Sequence, residues 1–210
     1  MAGLMRGFYS ISEWVMRLAY VNILWMIFSL LGLVILGFFP ATVAMFAVVR
    51  KWVRKDLDVP VFKLFWTTYK AEFVKSNLLG LIIVFIGFVM YFNFTIIEAT
   101  VIPIYKWLYI PYTIITAVYI LTLLYVFPVF VHFNIKLKEV IKNAFILMTV
   151  SPIVTFSKAV LTGVLCFLFL KFPGVIPFYS GSVIALLLMF LSNNLFRKYE
   201  KSRKDTTIKS

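Results

Sequence analysis

Four stretches of this chain, residues 21–49, 77–97, 107–131 and 178–196, carry no charged side chain at all. A membrane-crossing helix needs about 20 consecutive apolar residues, so such runs constrain the fold more than any motif. A water-soluble alternative would need polar surface to cover them, and only 14% of the chain is charged while 63% is hydrophobic. Soluble domains are about a quarter charged. The expected architecture is therefore all-α: a polytopic transmembrane helical bundle forming a single domain over residues 1–210. The first apolar run begins near Tyr20, is too long for a secretory signal core and lacks a small-x-small exit, so it is expected to stay as a helix.

Residues 21–49 are too long for one ordinary crossing and short for two. Gly37 and Pro40 punctuate the interior, a glycine suited to end a helix and a proline suited to begin one. Either one kinked helix crosses or two short helices turn at 37–40. The bundle thus has five or six spans, and six is preferred. Spans follow at 77–97, 107–131 (Pro111 and Pro128 inside), about 153–170 and about 178–196. Prolines within membrane helices are tolerated where neighbours satisfy the freed carbonyl.

Between the runs lie two basic amphipathic segments, expected on the cytoplasmic side. In residues 50–76, Phe62, Phe65, Trp66, Tyr69 and Phe73 recur at helical spacing, and Lys63, Thr67, Lys70 and Lys75 oppose them. In residues 134–150, Leu137, Val140, Ile141, Ala144, Phe145 and Met148 form one face, Lys136, Lys138, Glu139, Lys142 and Asn143 the other, with Asn134 as the expected cap. Amphipathic helix, break, then span occurs at 60–97 and again at 134–170, which suggests a parallel internal repeat. Segment 50–76 carries seven Lys and Arg, segment 132–143 three, and the tail after Phe196 six, against Lys106 and Lys171 on the opposite links. By the positive-inside rule these segments face the cytoplasm. The C-terminus is therefore expected to be cytoplasmic, and residues 197–210 to form a flexible basic tail. Arg6 and Arg17 favour an inside N-terminus. The net charge of +13 is accounted for by this distribution rather than by nucleic-acid binding.

Few residues invite chemistry. Paired carboxylates, metal-ligand spacings and phosphate loops are absent, so neither a catalytic site nor a metal or other cofactor is expected. Cys166 lies inside an apolar run, and His132 ends a span as a headgroup-level polar residue. Glu98 would be a proton-relay group only if held within the membrane; the plainer expectation is a carboxylate wetted at the interface. Lys158 sits roughly 8 Å past the break at Pro152, at about 1.5 Å per residue, within reach of the headgroups through its stem. Tyr105, Trp107, Tyr109 and Tyr112 read as an interfacial aromatic belt, and Gly80 and Gly87 as points of close helix packing. Asn22 and Asn193–Asn194 either hydrogen-bond across helices or meet headgroups.

The stretch LAYVNILWMIFSLLGLVILGFFPATVAMFAVVRKW resembles the N-terminal signature of the YesL-like family of bacterial membrane proteins, through Asn22, Trp25, Gly37, Pro40, Ala41, Thr42, Arg50, Lys51 and Trp52. A second block, YVFPVFVHFNIKLKEVIKNAFIL, is similar through Phe127, Pro128, Lys142, Asn143 and Ala144. Leu31-Gly32 departs from the Pro-Gly expected there, which bears on a local kink. The resemblance brings no catalytic residues with it. Members are often encoded beside carbohydrate ABC-transporter components and sugar-responsive regulators in Firmicutes, which implies a link to carbohydrate uptake and, as partners, the lipid bilayer and sugar ABC-transporter subunits. The competing expectation is a small self-contained transporter or channel.

Overall fold

The structure, a computed structural model, describes residues 2–99 and 107–208. The elements in chain order are α1 (Ala2–Leu31), α2 (Phe38–Val53), α3 (Val61–Ala71), α4 (Phe73–Ala99), α5 (Tyr109–His132), α6 (Leu137–Val150), α7 (Pro152–Lys171), a single 3₁₀ turn (Pro173–Val175) and α8 (Ile176–Ile208). Strands are absent among the described residues. Five segments are long and apolar enough to cross a membrane: Ile11–Leu31, Phe73–Glu98, Tyr109–His132, Pro152–Lys171 and Pro173–Arg197. Their side chains are largely exposed outside the seams, as expected where the solvent is lipid; Val74, Leu81, Phe85, Phe156 and Leu170 each stand more than half exposed.

The expected pair of short helices is instead one long helix of 30 residues and one short helix of 16. The turn falls at residues 32–37 rather than 37–40, and Pro40 lies in the first turn of α2, where a missing N–H leaves no bond unmade. Both turn glycines are required by close approach. A Cβ on Gly32 would come within 2.3 Å of the Gly37 Cα, and one on Gly37 within 2.4 Å of the Ser29 carbonyl. The left-handed backbone of the turn falls on Leu33 (φ 56°) and Val34 (φ 64°) instead, a conformation that costs about 1–2 kcal/mol per non-glycine residue.

α2 is the axis of the bundle. Ten of its sixteen residues are buried: Pro40 through Phe46, Val48, Val49 and Trp52. It packs against α1, α3, α4, α5 and α8. Small residues Ala41, Ala44 and Ala47 admit that many neighbours, because close helix approach in a membrane depends on small side chains. Phe46 stacks on Phe127 of α5 with ring centroids 5.6 Å apart. On α4, Gly80 packs under Phe39, whose ring would meet an added Cβ at 2.2 Å. Gly87 is looser, with the Tyr119 hydroxyl at 3.4 Å.

The two amphipathic helices form as α3 and α6, each followed at once by a span, so the element order repeats the device twice. α3 buries Phe65 and Tyr69, whereas Phe62 and Trp66 remain partly exposed. α6 begins at Leu137, with Lys136 rather than Asn134 at the cap and no side-chain cap bond. Pro111 stands in the first turn of α5 and does not interrupt a ladder, which leaves Pro128 as that helix's internal proline. Glu98 is exposed, as is Cys166. In the aromatic belt, Trp107 and Tyr109 are exposed, Tyr112 donates its hydroxyl to the Met90 carbonyl, and Tyr105 lies outside the described residues. α8 continues as helix through the basic tail to Ile208.

Candidate functional site

The signature residues build two sets of interhelical contacts and one wall of a cavity. Asn22 is fully buried where α1 meets α8. Its amide nitrogen donates to the Pro177 carbonyl at 2.7 Å, and its oxygen accepts from Gly181 N–H and Ser182 N–H, each at 3.0 Å. Two backbone donors face one end of the carboxamide and a carbonyl faces the other, so the chemistry fixes its orientation. Pro177 C=O and Gly181 N–H are the pair an uninterrupted helix would join to each other. The Asn22 side chain thus bridges both members of this pair from the neighbouring helix. Trp25 donates from Nε1 to the Thr42 hydroxyl (3.0 Å), which in turn donates to the Phe38 carbonyl (2.7 Å), locking the α1–α2 hairpin. Of the two alternatives for the asparagine, the cross-helix bond is the one realised.

The second set lies between α5, α7 and α8, and the sequence did not reveal it. Lys158 is fully buried and does not reach the headgroups. Its amine donates to the Ser192 hydroxyl at 2.7 Å and to the Leu124 carbonyl at 3.4 Å, and lies 3.3 Å from the centroid of the Tyr125 ring. The amine thus meets two oxygen acceptors and the face of one aromatic ring. Leu124 is four residues before Pro128, so Pro128 removes the N–H that would have bonded that carbonyl. A residue chosen for its place in a motif therefore creates the acceptor that Lys158 fills. The Tyr125 hydroxyl pairs with that of Thr155 (2.8 Å), and Thr155 reaches the Met148 carbonyl (2.9 Å), extending the network to α6. The sequence signal available was a proline four residues after an apolar carbonyl and a lysine in a span; snorkelling explained the lysine equally well.

The cavity opens where α2 ends. It measures about 350 Å³ and is lined by α2 (Val43, Ala47, Arg50, Lys51), α3 (Leu64, Thr68), Glu72, Lys75 of α4, and residues 130–134. Arg50 Nη1 donates to the Val131 carbonyl at 2.5 Å, satisfying one of the acceptors that a helix C-terminus leaves over. Lys51 pairs with Asp56 at 3.0 Å on the exposed side. Lys75 is half-buried, its amine 5.1 Å from the centroid of the Phe130 ring. His132 is buried between Phe196 (centroids 4.1 Å) and Phe133 (4.5 Å), and Arg54 Nη2 lies 3.4 Å from both of its ring nitrogens. A second basic recess, lined by Arg54, Lys55, Asn193 and Arg197 among others, lies between the end of α2 and residues 190–197 of α8. Nearby, Arg17 of α1 donates to the Leu57 carbonyl at 2.6 Å and pairs with Glu13 at 2.5 Å. Tyr69 closes the far side of α3 by donating to the Phe28 carbonyl at 3.3 Å, and burial pushes its phenol above the usual 10.0. Trp52 is buried edge-on to Trp14 (6.0 Å), and Asn143 is half-buried on α6 and does not line the cavity. No group of three or more metal-ligating side chains occurs among the described residues.

The fold and these contacts define a multi-pass helical membrane protein. A model described as "Protein of unknown function, DUF624" matches residues 18–94, the segment holding Asn22, Trp25, Gly37, Pro40, Arg50 and Trp52. Three proteins of Bacillus subtilis (strain 168) are similar over most of their length. YesL is 40% identical over 192 residues, covering 91% of this chain and 90% of YesL. YteU is 39% identical over 192 residues (90% and 85%), and YesV 37% over 196 residues (91% and 92%). All three are described as uncharacterized proteins. The chain belongs to this YesL-like, DUF624 family. No solved structure matches it.

Proposed function

We propose that this chain is an accessory membrane protein of carbohydrate uptake that works beside the subunits of an ABC-type importer and neither conducts solute nor catalyses a reaction itself. The observation that carries the reading is the filled axis: α2 occupies the centre of the bundle with ten buried residues, where a conduit would need a lumen. The link to carbohydrate import rests on the resemblance to YesL-like proteins and on the neighbourhood in which they are encoded. The basic segments, gathered in part around the end of α2, supply a cytoplasmic face under the positive-inside rule. On this reading the C-terminal tail lies in the cytoplasm of a bacterial cell, with α3 and α6 on the side where an importer's ATPase subunits sit.

The test is purification of the tagged chain in gentle detergent from its native host, with mass spectrometry of what travels with it. Permease or ATPase subunits of a sugar importer in near-stoichiometric amounts are expected. Isolation as a clean monomer or homo-oligomer, together with sugar or ion flux into reconstituted vesicles above empty controls, would overturn the reading in favour of a self-contained transporter.

A further inference from the structure

The cavity at the end of α2 gathers charges that the sequence keeps apart. Three cations, Arg50, Lys51 and Lys75, line it with one carboxylate, Glu72. Arg50 is held at the wall by the Val131 carbonyl, which fixes where its planar fork points. Lys75 is half-buried, with its amine over the Phe130 ring. The ion pairs among the described residues are Arg17–Glu13 and Lys51–Asp56, so neither Lys75 nor Glu72 is committed to one. Thr68 and Asn134 add polar groups to the wall. At about 350 Å³ the space sits at the small end of ligand cavities, which run from about 300 to 1,000 Å³. It lies beside His132, the last residue of a membrane-crossing helix, and so at headgroup level. A guanidinium fork suits the oxygens of a phosphate, and a lysine adds a point charge. Basic pockets between membrane helices are where phosphate-bearing headgroups bind.

We propose that this cavity is a binding site for a phosphate-bearing anion, contacted by Arg50 and Lys75, with the Glu72 carboxylate opposing the bound charge. The phosphate arrives either on the headgroup of an anionic phospholipid or as a free phosphate in the cytosol. The site stands independently of the importer reading.

The experiment uses the full chain in detergent. Native mass spectrometry measures retention of phosphatidylglycerol against phosphatidylcholine of the same acyl chains. Thermal unfolding measures stabilisation by inorganic phosphate against chloride at equal ionic strength. Selective retention of phosphatidylglycerol identifies the lipid source; selective stabilisation by phosphate identifies the soluble one. In either case Lys75→Met lowers apparent affinity about fivefold, from about 1 kcal/mol per basic residue. Glu72→Gln raises it, and Lys63→Met, on the exposed face of α3 outside the cavity, leaves it unchanged. Equal retention of both lipids with no difference between phosphate and chloride overturns the proposal, as does equal behaviour of the Lys75 and Lys63 variants. Should Lys75→Met fail to give monodisperse protein, Lys75→Arg preserves the charge. The gain expected of Glu72→Gln then decides, since a purely structural cavity gives none.

Discussion

Replacing Asn22 removes a carboxamide that makes three hydrogen bonds to the first turns of α8. Interhelical hydrogen bonds in membrane bundles average about 0.6 kcal/mol, so three amount to about 2 kcal/mol. Part of that is recoverable. In Asn22→Ala the Pro177 carbonyl and the Gly181 N–H still face each other as an ordinary helical pair of α8, and the expected cost falls to about 1 kcal/mol. In Asn22→Leu a bulkier apolar side chain stays pressed against the same backbone groups without a bond to offer them, so the full cost of about 2 kcal/mol remains. The order, leucine worse than alanine, is the distinguishing outcome, because a site valued for apolar burial would give the reverse. Gly181 supplies a second check. A Cβ there would meet the Asn22 oxygen at 3.2 Å, so Gly181→Ala is harmful alone and less so with Asn22→Ala, and the double mutant costs less than the two singles together. The assay is reversible unfolding in mixed micelles with increasing denaturing detergent, followed by helical circular dichroism. Two Asn22 variants within about 0.5 kcal/mol of the parent would refute the bridging role.

Three further outcomes are expected in the same assay. Gly37→Ala forces a Cβ to 2.4 Å from the Ser29 carbonyl and should cost several kcal/mol or prevent folding, whereas Gly174→Ala, with open space around it, should change stability by less than about 0.5 kcal/mol. Gly80→Ala pushes a methyl into the Phe39 ring and should cost about 1–3 kcal/mol, most of it regained with Phe39→Leu. Lys158→Met keeps the volume and removes the amine, which has no carboxylate partner among the described residues; stability should hold to within about 1 kcal/mol, because Ser192 keeps its bond to the Leu188 carbonyl at 2.7 Å and one neutral hydrogen bond nets about 1 kcal/mol. Lys158→Ala opens a cavity instead and should cost about 2–5 kcal/mol, and a loss as large in Lys158→Met would show that the amine itself holds the three helices.

The solvent of this protein was legible in its sequence. Uncharged runs longer than twenty residues leave no other way to satisfy the backbone, and the spacing of aromatic and basic residues marked α3 and α6 because an amphipathic helix carries its environment in its period. The break in the first apolar run and the close packing at Gly80 were likewise visible, since glycine and proline act locally. Only the tertiary structure decided what the polar residues inside the runs do. Asn22 lies far along the chain from Gly181, and Lys158 from Ser192 and Leu124, so no window of sequence contains both partners. Lys158 could reach water through its stem or turn inward, and the choice fell inward because Pro128 leaves a carbonyl there that the chain order does not connect to it. The cavity beside Arg50 arises in the same way: four elements each contribute a few residues, and the charge that accumulates there is a property of their packing rather than of any one segment.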